Sequence, residues 1–128
     1  MDMKQKGATI LLVDDEEALL SLVKALLVEK GYTVLTARDG LEGLQMYQAN
    51  QKEIALVLSD VGMPVLNGYD LYLKLREVNP AVRVIIGSGF YDNNMKSELE
   101  RLGVRHFIQK PYTPEVLLGL IREVLESK

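Results

Sequence analysis

Short β-rich runs alternate with amphipathic stretches along nearly the whole chain. Thr9 to Val13 is such a run, followed by Ala18, Leu19, Leu22, Val23, Leu26 and Leu27 at helical spacing, with Gly31 as a stop. The unit recurs. Thr33 to Thr36 reads as a strand before Leu41, Leu44 and Tyr47 on one helix face, and Ile54 to Ser59 as a strand before Leu71, Leu75 and Val78, which follow the turn signal Asn67-Gly68. Val82 to Ile86 is a fourth apolar strand, succeeded by Met95, Leu99 and Leu102 with Gly103 closing. Arg105 to Ile108 is a fifth, shorter and more polar. The last helix opens at Thr113-Pro114-Glu115, an N-cap, a first-turn proline and an acid that suits the helix dipole. Val116, Leu117, Leu120, Ile121 and Val124 form its expected buried stripe.

Five βα units of this kind predict an α/β fold. Apolar strands alternating with amphipathic helices imply a parallel sheet covered on both faces, and right-handed crossovers restrict the topology. The expectation is a flavodoxin-like, doubly wound, five-stranded parallel sheet in the order 2-1-3-4-5 with five helices. Its site should lie at the carboxyl ends of the strands, beside the switch point between strands 1 and 3.

Composition narrows the function classes. At 128 residues, 48% hydrophobic and 26% charged, the chain has the size and balance of one globular domain. A net charge of -3, spread along the sequence, speaks against a surface that tracks nucleic acid. The absence of cysteine removes disulfides, thiolate metal sites and thiol nucleophiles, and His106 alone cannot build a histidine cluster. No apolar run approaches the roughly 18 residues a membrane-spanning helix requires, and Met1 to Gly7 is too polar for a signal peptide. These features predict a cytoplasmic domain with no membrane segment, a flexible stretch at 1–8 and the folded domain at 9–126.

The polar residues then fall into place. Asp14 and Asp15 follow strand 1, Asp60 follows strand 3, Ser88 follows strand 4, and Lys110-Pro111 follows strand 5, all at one edge of the sheet. Three carboxylates converging at the switch point repel one another unless positive charge sits among them. An oxygen-only donor set suits Mg²⁺, with Asp15 and Asp60 as the expected direct ligands. Lys110 adds a compact ammonium, so a phosphoryl group arriving at a carboxylate nucleophile would meet positive charge on two sides, and Ser88 could hydrogen-bond one of its oxygens.

This array resembles the receiver domain of bacterial response regulators and hybrid histidine kinases, over Thr9 to about Leu125. The matching stretches are Ile10 to Glu17, Leu58 to Gly68, Val84 to Gly89 and Phe107 to Pro111. The start of the domain and the Ser-Gly-Phe after strand 4 are most similar to C-terminal receivers of hybrid kinases. The resemblance implies a phosphoacceptor rather than a conventional enzyme, phosphorylated on Asp60 by a histidine kinase or phosphotransfer domain, with a receiver dimer as a further candidate partner. It implies Asp15 as a direct Mg²⁺ ligand, Asp14 acting mainly through water, and Gly62 offering its carbonyl. It also implies Phe107 as an aromatic switch moving with Ser88, a cis bond before Pro111, output at the face of helix 4, strand 5 and helix 5, and control of dephosphorylation at Gly62 and Phe90.

Each residue has a plainer reading by itself: a capping acid, a surface lysine, a core aromatic. Their joint placement at four strand ends is what chance explains poorly. Glu16 and Glu17 read as first-turn acids. A haloacid-dehalogenase-like hydrolase would need a second Asp where Gly62 stands. A flavodoxin-type FMN carrier would need a phosphate-cradling first loop, which Asp14 and Asp15 oppose. A receiver-like interaction module without phosphorylation would lack acceptor residues that this chain retains.

Overall fold

The computed structural model describes residues 7–89 and 93–127, apart from the Asn93 side chain; Met1 to Lys6 and Phe90 lie outside the described residues. Strands and helices alternate: β1 (Thr9–Val13), α1 (Glu17–Glu29), β2 (Thr33–Ala37), α2 (Gly40–Asn50), β3 (Ile54–Asp60), α3 (Gly68–Val78), β4 (Val84–Ser88), α4 (Asn93–Leu102), β5 (His106–Gln109) and α5 (Pro114–Glu126). All neighbouring strands pair in parallel, in the order β2-β1-β3-β4-β5, as the alternation predicts.

Period two along β1 explains the two-sided core. Ile10 and Leu12 face a cluster that includes Leu27 of α1 with Leu117 and Ile121 of α5. Leu11 and Val13 face the opposite cluster, with Tyr47, Leu71 and Leu99 from α2, α3 and α4. Side-chain caps start three helices: Asp39 accepts from the Glu42 N–H at 2.8 Å, Asn67 from the Asp70 N–H at 2.9 Å and Thr113 from the Val116 N–H at 3.2 Å. Among the described residues no helix is long and apolar enough to cross a membrane.

Several boundaries and faces differ from the pattern-based expectation. β4 begins at Val84, not Val82, because the Val82 N–H is spent on Asn79 O in the preceding turn. It runs on to Ser88, which pairs with Gln109, so β5 also starts and ends one residue later than expected. Leu22, Leu41 and Val116 are exposed. In α1 the buried stripe is Leu20, Val23 and Leu27, and Leu22 points about 200° around the helix from Leu20. In α5 it is Leu117, Ile121 and Val124, with Val116 a step off. Gly7 and Ala8 are tied to the turn before β2, the Gly7 N–H donating to Gly31 O at 2.9 Å and the Thr33 N–H to Ala8 O at 3.0 Å.

Candidate functional site

The carboxyl ends of β1, β3, β4 and β5 bring Asp14, Asp15, Asp60, Ser88 and Lys110 to one edge, with β1 and β3 adjacent at the switch point. Carboxylate oxygens of Asp14, Asp15 and Asp60 all lie within 4.8 Å of one another. Asp14 is buried, Asp60 half-buried and Asp15 exposed.

Lys110 stands among the acids. Its Nζ lies 2.6 Å from Asp14 Oδ2, 3.1 Å from Asp60 Oδ1 and 3.6 Å from Glu16 Oε1. The Lys110, Asp14 and Asp60 side chains are only 15%, 10% and 12% exposed, so little water screens them. Asp14 is held twice more: its Oδ1 accepts from the Glu16 N–H at 2.9 Å, and its backbone N–H donates to Ala37 O at 3.1 Å. Sequence reasoning assigned Glu16 only a helix-dipole role; the structure adds it to the surroundings of the ammonium. Ser88 is buried at the end of β4, where its carbonyl accepts from the Lys110 N–H at 2.9 Å, so hydroxyl and ammonium are carried by hydrogen-bonded backbone.

Charge and burial compete here. Burial pushes the Asp60 carboxyl above the usual carboxylate range, against the Lys110 hydrogen bond and charge and a Gly62 backbone hydrogen bond, and the Asp14 charge adds to the rise. For Lys110, burial works against the charged form, but Asp14 and Asp60 outweigh it and hold the amine above its ordinary value. Tyr112 is pushed up chiefly by burial. It lines an open cleft of about 760 Å³ together with Glu16, Asp60, Gly62, Ser88 and Lys110, the approach route to Asp60.

The loop from β3 to α3 is tightly specified. A side chain on Gly68 would collide with the Asp60 carbonyl, and one on Gly40 would strike the Leu66 backbone. The Val61 N–H donates to Gly87 O and the Gly68 N–H to Val61 O, anchoring the segment just beyond Asp60. Gly62 is exposed, with nothing among the described residues within 4 Å of where a side chain would start. Between these anchors Val65 adopts φ 68°, and the Leu66 N–H donates to Pro64 O at 2.7 Å across it: a positive-φ γ-turn on a β-branched residue.

The Lys110-Pro111 peptide is cis. Phe107 is partly buried on β5, packed against the second core cluster, with Lys96 Nζ of α4 5.2 Å from its ring centroid. His106 opens β5, at the far end from Lys110.

The sequence model of the response regulator receiver domain matches residues 10–122. The chain is similar to the transcriptional regulatory protein GlrR of Escherichia coli K12, 35% identical over 125 residues covering 98% of this chain and 28% of that protein. It is similar to the sensor kinase CckA of Brucella abortus, 33% identical over 122 residues covering 95% of this chain and 13% of that protein. Among solved structures, a response regulator receiver domain protein from Clostridium thermocellum superposes with a TM-score of 0.87 at 33% identity, covering 92% of this chain and 94% of that one. The chain thus spans under a third of the length of these curated relatives.

Proposed function

Because the chain belongs to the response regulator receiver domain family, we propose that it accepts a phosphoryl group on Asp60 from a phosphohistidine of a kinase or phosphotransfer domain. The observation that carries this reading is the Lys110 ammonium held between Asp14 and Asp60 at 2.6 and 3.1 Å. In the transfer, an Asp60 carboxylate oxygen forms a bond to phosphorus as the phosphorus–nitrogen bond breaks, and the imidazole leaves, taking its proton from solvent. Lys110 shifts its hydrogen bond from Asp60 to a phosphoryl oxygen, and the Ser88 hydroxyl takes another. Lys110 remains anchored by Asp14 and is therefore oriented before the phosphoryl group arrives.

The donor set fits Mg²⁺. Three carboxylates crowd within 4.8 Å, and hard oxygen ligands with room for water are what this ion selects. Asp15 and Asp60 would hold it directly, with the Gly62 carbonyl. Asp14, whose oxygens already face the Glu16 N–H and Lys110, would act through water. When bound, Mg²⁺ neutralises charge on the transferring phosphoryl oxygens. In the absence of any phosphodonor, Mg²⁺ should raise the unfolding temperature of wild type but not of Asp15→Asn. Both a transcriptional regulator and a sensor kinase contain matching segments, so partners of either arrangement suit this site.

Acetyl phosphate with Mg²⁺ should add one phosphoryl group, detected by mass spectrometry, and Asp60→Asn should abolish it. Labelling that survives in Asp60→Asn, or that maps to His106, would overturn the reading.

A further inference from the structure

At the pole opposite Asp60, the amino ends of β4 and β5 meet the carboxyl ends of α3, α4 and α5 around a cleft of about 520 Å³. Arg76, Arg83, Arg105 and His106 line it, and among the described residues no Asp or Glu does. Among the described residues none of the three arginines is ion-paired. Pro80, Ala81 and Val82 supply accessible apolar wall, while Val84 and Val104 are buried.

The plain reading is that these arginines satisfy helix ends. It accounts for part of the arrangement: Arg76 Nη1 donates to Leu102 O at the end of α4, and Arg83 donates to Leu125 O at 3.4 Å and Ser127 O at 2.8 Å at the end of α5. Among the described residues the charge does not balance, however. Each helix carboxyl end carries roughly half a negative charge, so three such ends offset about half of three guanidiniums. Arg105 makes no such contact, and each guanidinium has five N–H donors, most still unspent on Arg76 and Arg83. The carbonyl contacts also hold two of these long side chains in place, lowering the entropy an incoming anion would have to overcome.

We propose that this cleft is a binding site for a phosphate-bearing small molecule of mononucleotide type, its phosphate on the arginines and its flat base against Pro80, Ala81 and Val82. Guanidinium pairs with phosphate in bidentate fashion, which a surface of scattered lysines does not. The cleft volume lies within the range of small-molecule sites. It is separated from the phosphoacceptor edge by the length of β4 and β5, so ligand there need not compete with phosphorylation.

The test is titration of the whole chain with AMP, followed by backbone amide spectra. AMP should shift the amides of 82–84 and 103–106, and Arg105→Glu, at an exposed position, should weaken binding about tenfold or more. Arg83→Lys, which keeps the charge but loses the fork, should weaken it less; unfolding temperatures of both variants report whether the fold is retained. Adenosine should not shift these amides, and inorganic phosphate should do so more weakly than AMP. Absence of shifts at these amides up to about 10 mM AMP, equal shifts with adenosine, phosphate binding as tightly as AMP, or unaltered binding in Arg105→Glu would each overturn the proposal.

Discussion

Lys110 Nζ lies closer to Asp14, at 2.6 Å, than to Asp60, at 3.1 Å, so the ammonium is anchored on the carboxylate 96 residues away that is also held by the Glu16 N–H. Removing the charge should leave two poorly solvated carboxylates facing each other. Lys110→Met, which keeps most of the apolar stem, should lose roughly 1–3 kcal/mol in metal-free buffer. Mg²⁺ should recover part of that loss by mass action. Urea unfolding with and without Mg²⁺ reads both effects; equal stability of the variant and wild type in both buffers would show that the pair does not support the fold.

The pH dependence has the same sign at the two groups but falls in different windows. Burial raises the folded-state pKa of Asp60, so the native state binds this proton more tightly than the unfolded chain and stability falls as pH rises from the unfolded value near 3.8 through the raised one. For Lys110, the pKa is raised by Asp14 and Asp60 against the effect of burial. Its contribution is fully present below 10.5 and is lost only as pH rises beyond that, through its higher folded value. The stability of wild type minus that of Asp60→Asn, measured without metal, should therefore decline with pH above about 3.8. An increase over that interval would mean the ammonium outweighs burial at Asp60.

The meeting of Asp14, Asp15, Asp60, Ser88 and Lys110 was legible because strand period and helix stops place each residue at a carboxyl end, and a doubly wound sheet gathers those ends. Which carboxylate Lys110 favours was not, since that depends on side-chain reach between β1 and β5 rather than on spacing. Glu16 was hidden for the same reason. The arginine cleft left no charge run to notice: Arg76 lies in α3, Arg83 and Arg105 stand just before β4 and β5, and the three line one cleft only when β4 and β5 pair. The turn at Val65 ran against local propensity, because a β-branched residue disfavours positive φ and neighbouring anchors impose it.

That turn makes Val65 a place where stability is forgone. Its side chain is 75% exposed and so gains little from packing, while φ 68° costs a β-branched residue about 1–2 kcal/mol. Val65→Asn should raise stability by about 1 kcal/mol, since Asn tolerates the left-handed region. For a domain of this size that is about 3–5 °C in melting temperature. Val65→Gly should gain less, because glycine adds freedom to the unfolded chain. Calorimetry decides; a lower melting temperature for Val65→Asn would mean the side chain itself braces the loop.

Phe107 and Lys96 offer a local reporter of the phosphorylated state. If a phosphoryl oxygen draws the Ser88 hydroxyl inward, the partly buried ring can turn into the space released, and the Lys96 ammonium at 5.2 Å from its centroid loses its place over the ring face. Beryllofluoride with Mg²⁺ should shift the Phe107 ring resonances together with amides of α4 and β5, and Phe107→Leu should reduce the α4 response while leaving labelling of Asp60 intact. Unchanged α4 amides on beryllofluoride binding would place the output on another surface.

The lifetime of the aspartyl phosphate should be long. In receiver domains the residues two beyond the phosphorylated Asp and two beyond the hydroxyl residue influence how water reaches the phosphorus; here they are Gly62 and Phe90, the latter outside the described residues. Gly62 is exposed and, among the described residues, has nothing within 4 Å of its Cβ position, so none of their side chains orients a water there. A positioned nucleophile gains from fixed orientation, and losing one such contact costs about tenfold in rate, or about 1.4 kcal/mol of barrier. An opposing effect is that open space beside Asp60 admits water freely, but unordered water lacks the in-line placement that displacement at phosphorus demands. Gly62→Asn should therefore hydrolyse its phosphate faster than wild type, and Phe90→Glu likewise, by supplying a polar group in place of a hydrogen and of an apolar ring. Phosphate release timed after removal of acetyl phosphate separates the two effects: if Gly62→Asn is slower, the open space was admitting the attacking water, and if neither variant differs from wild type, water positioning does not limit hydrolysis in this domain.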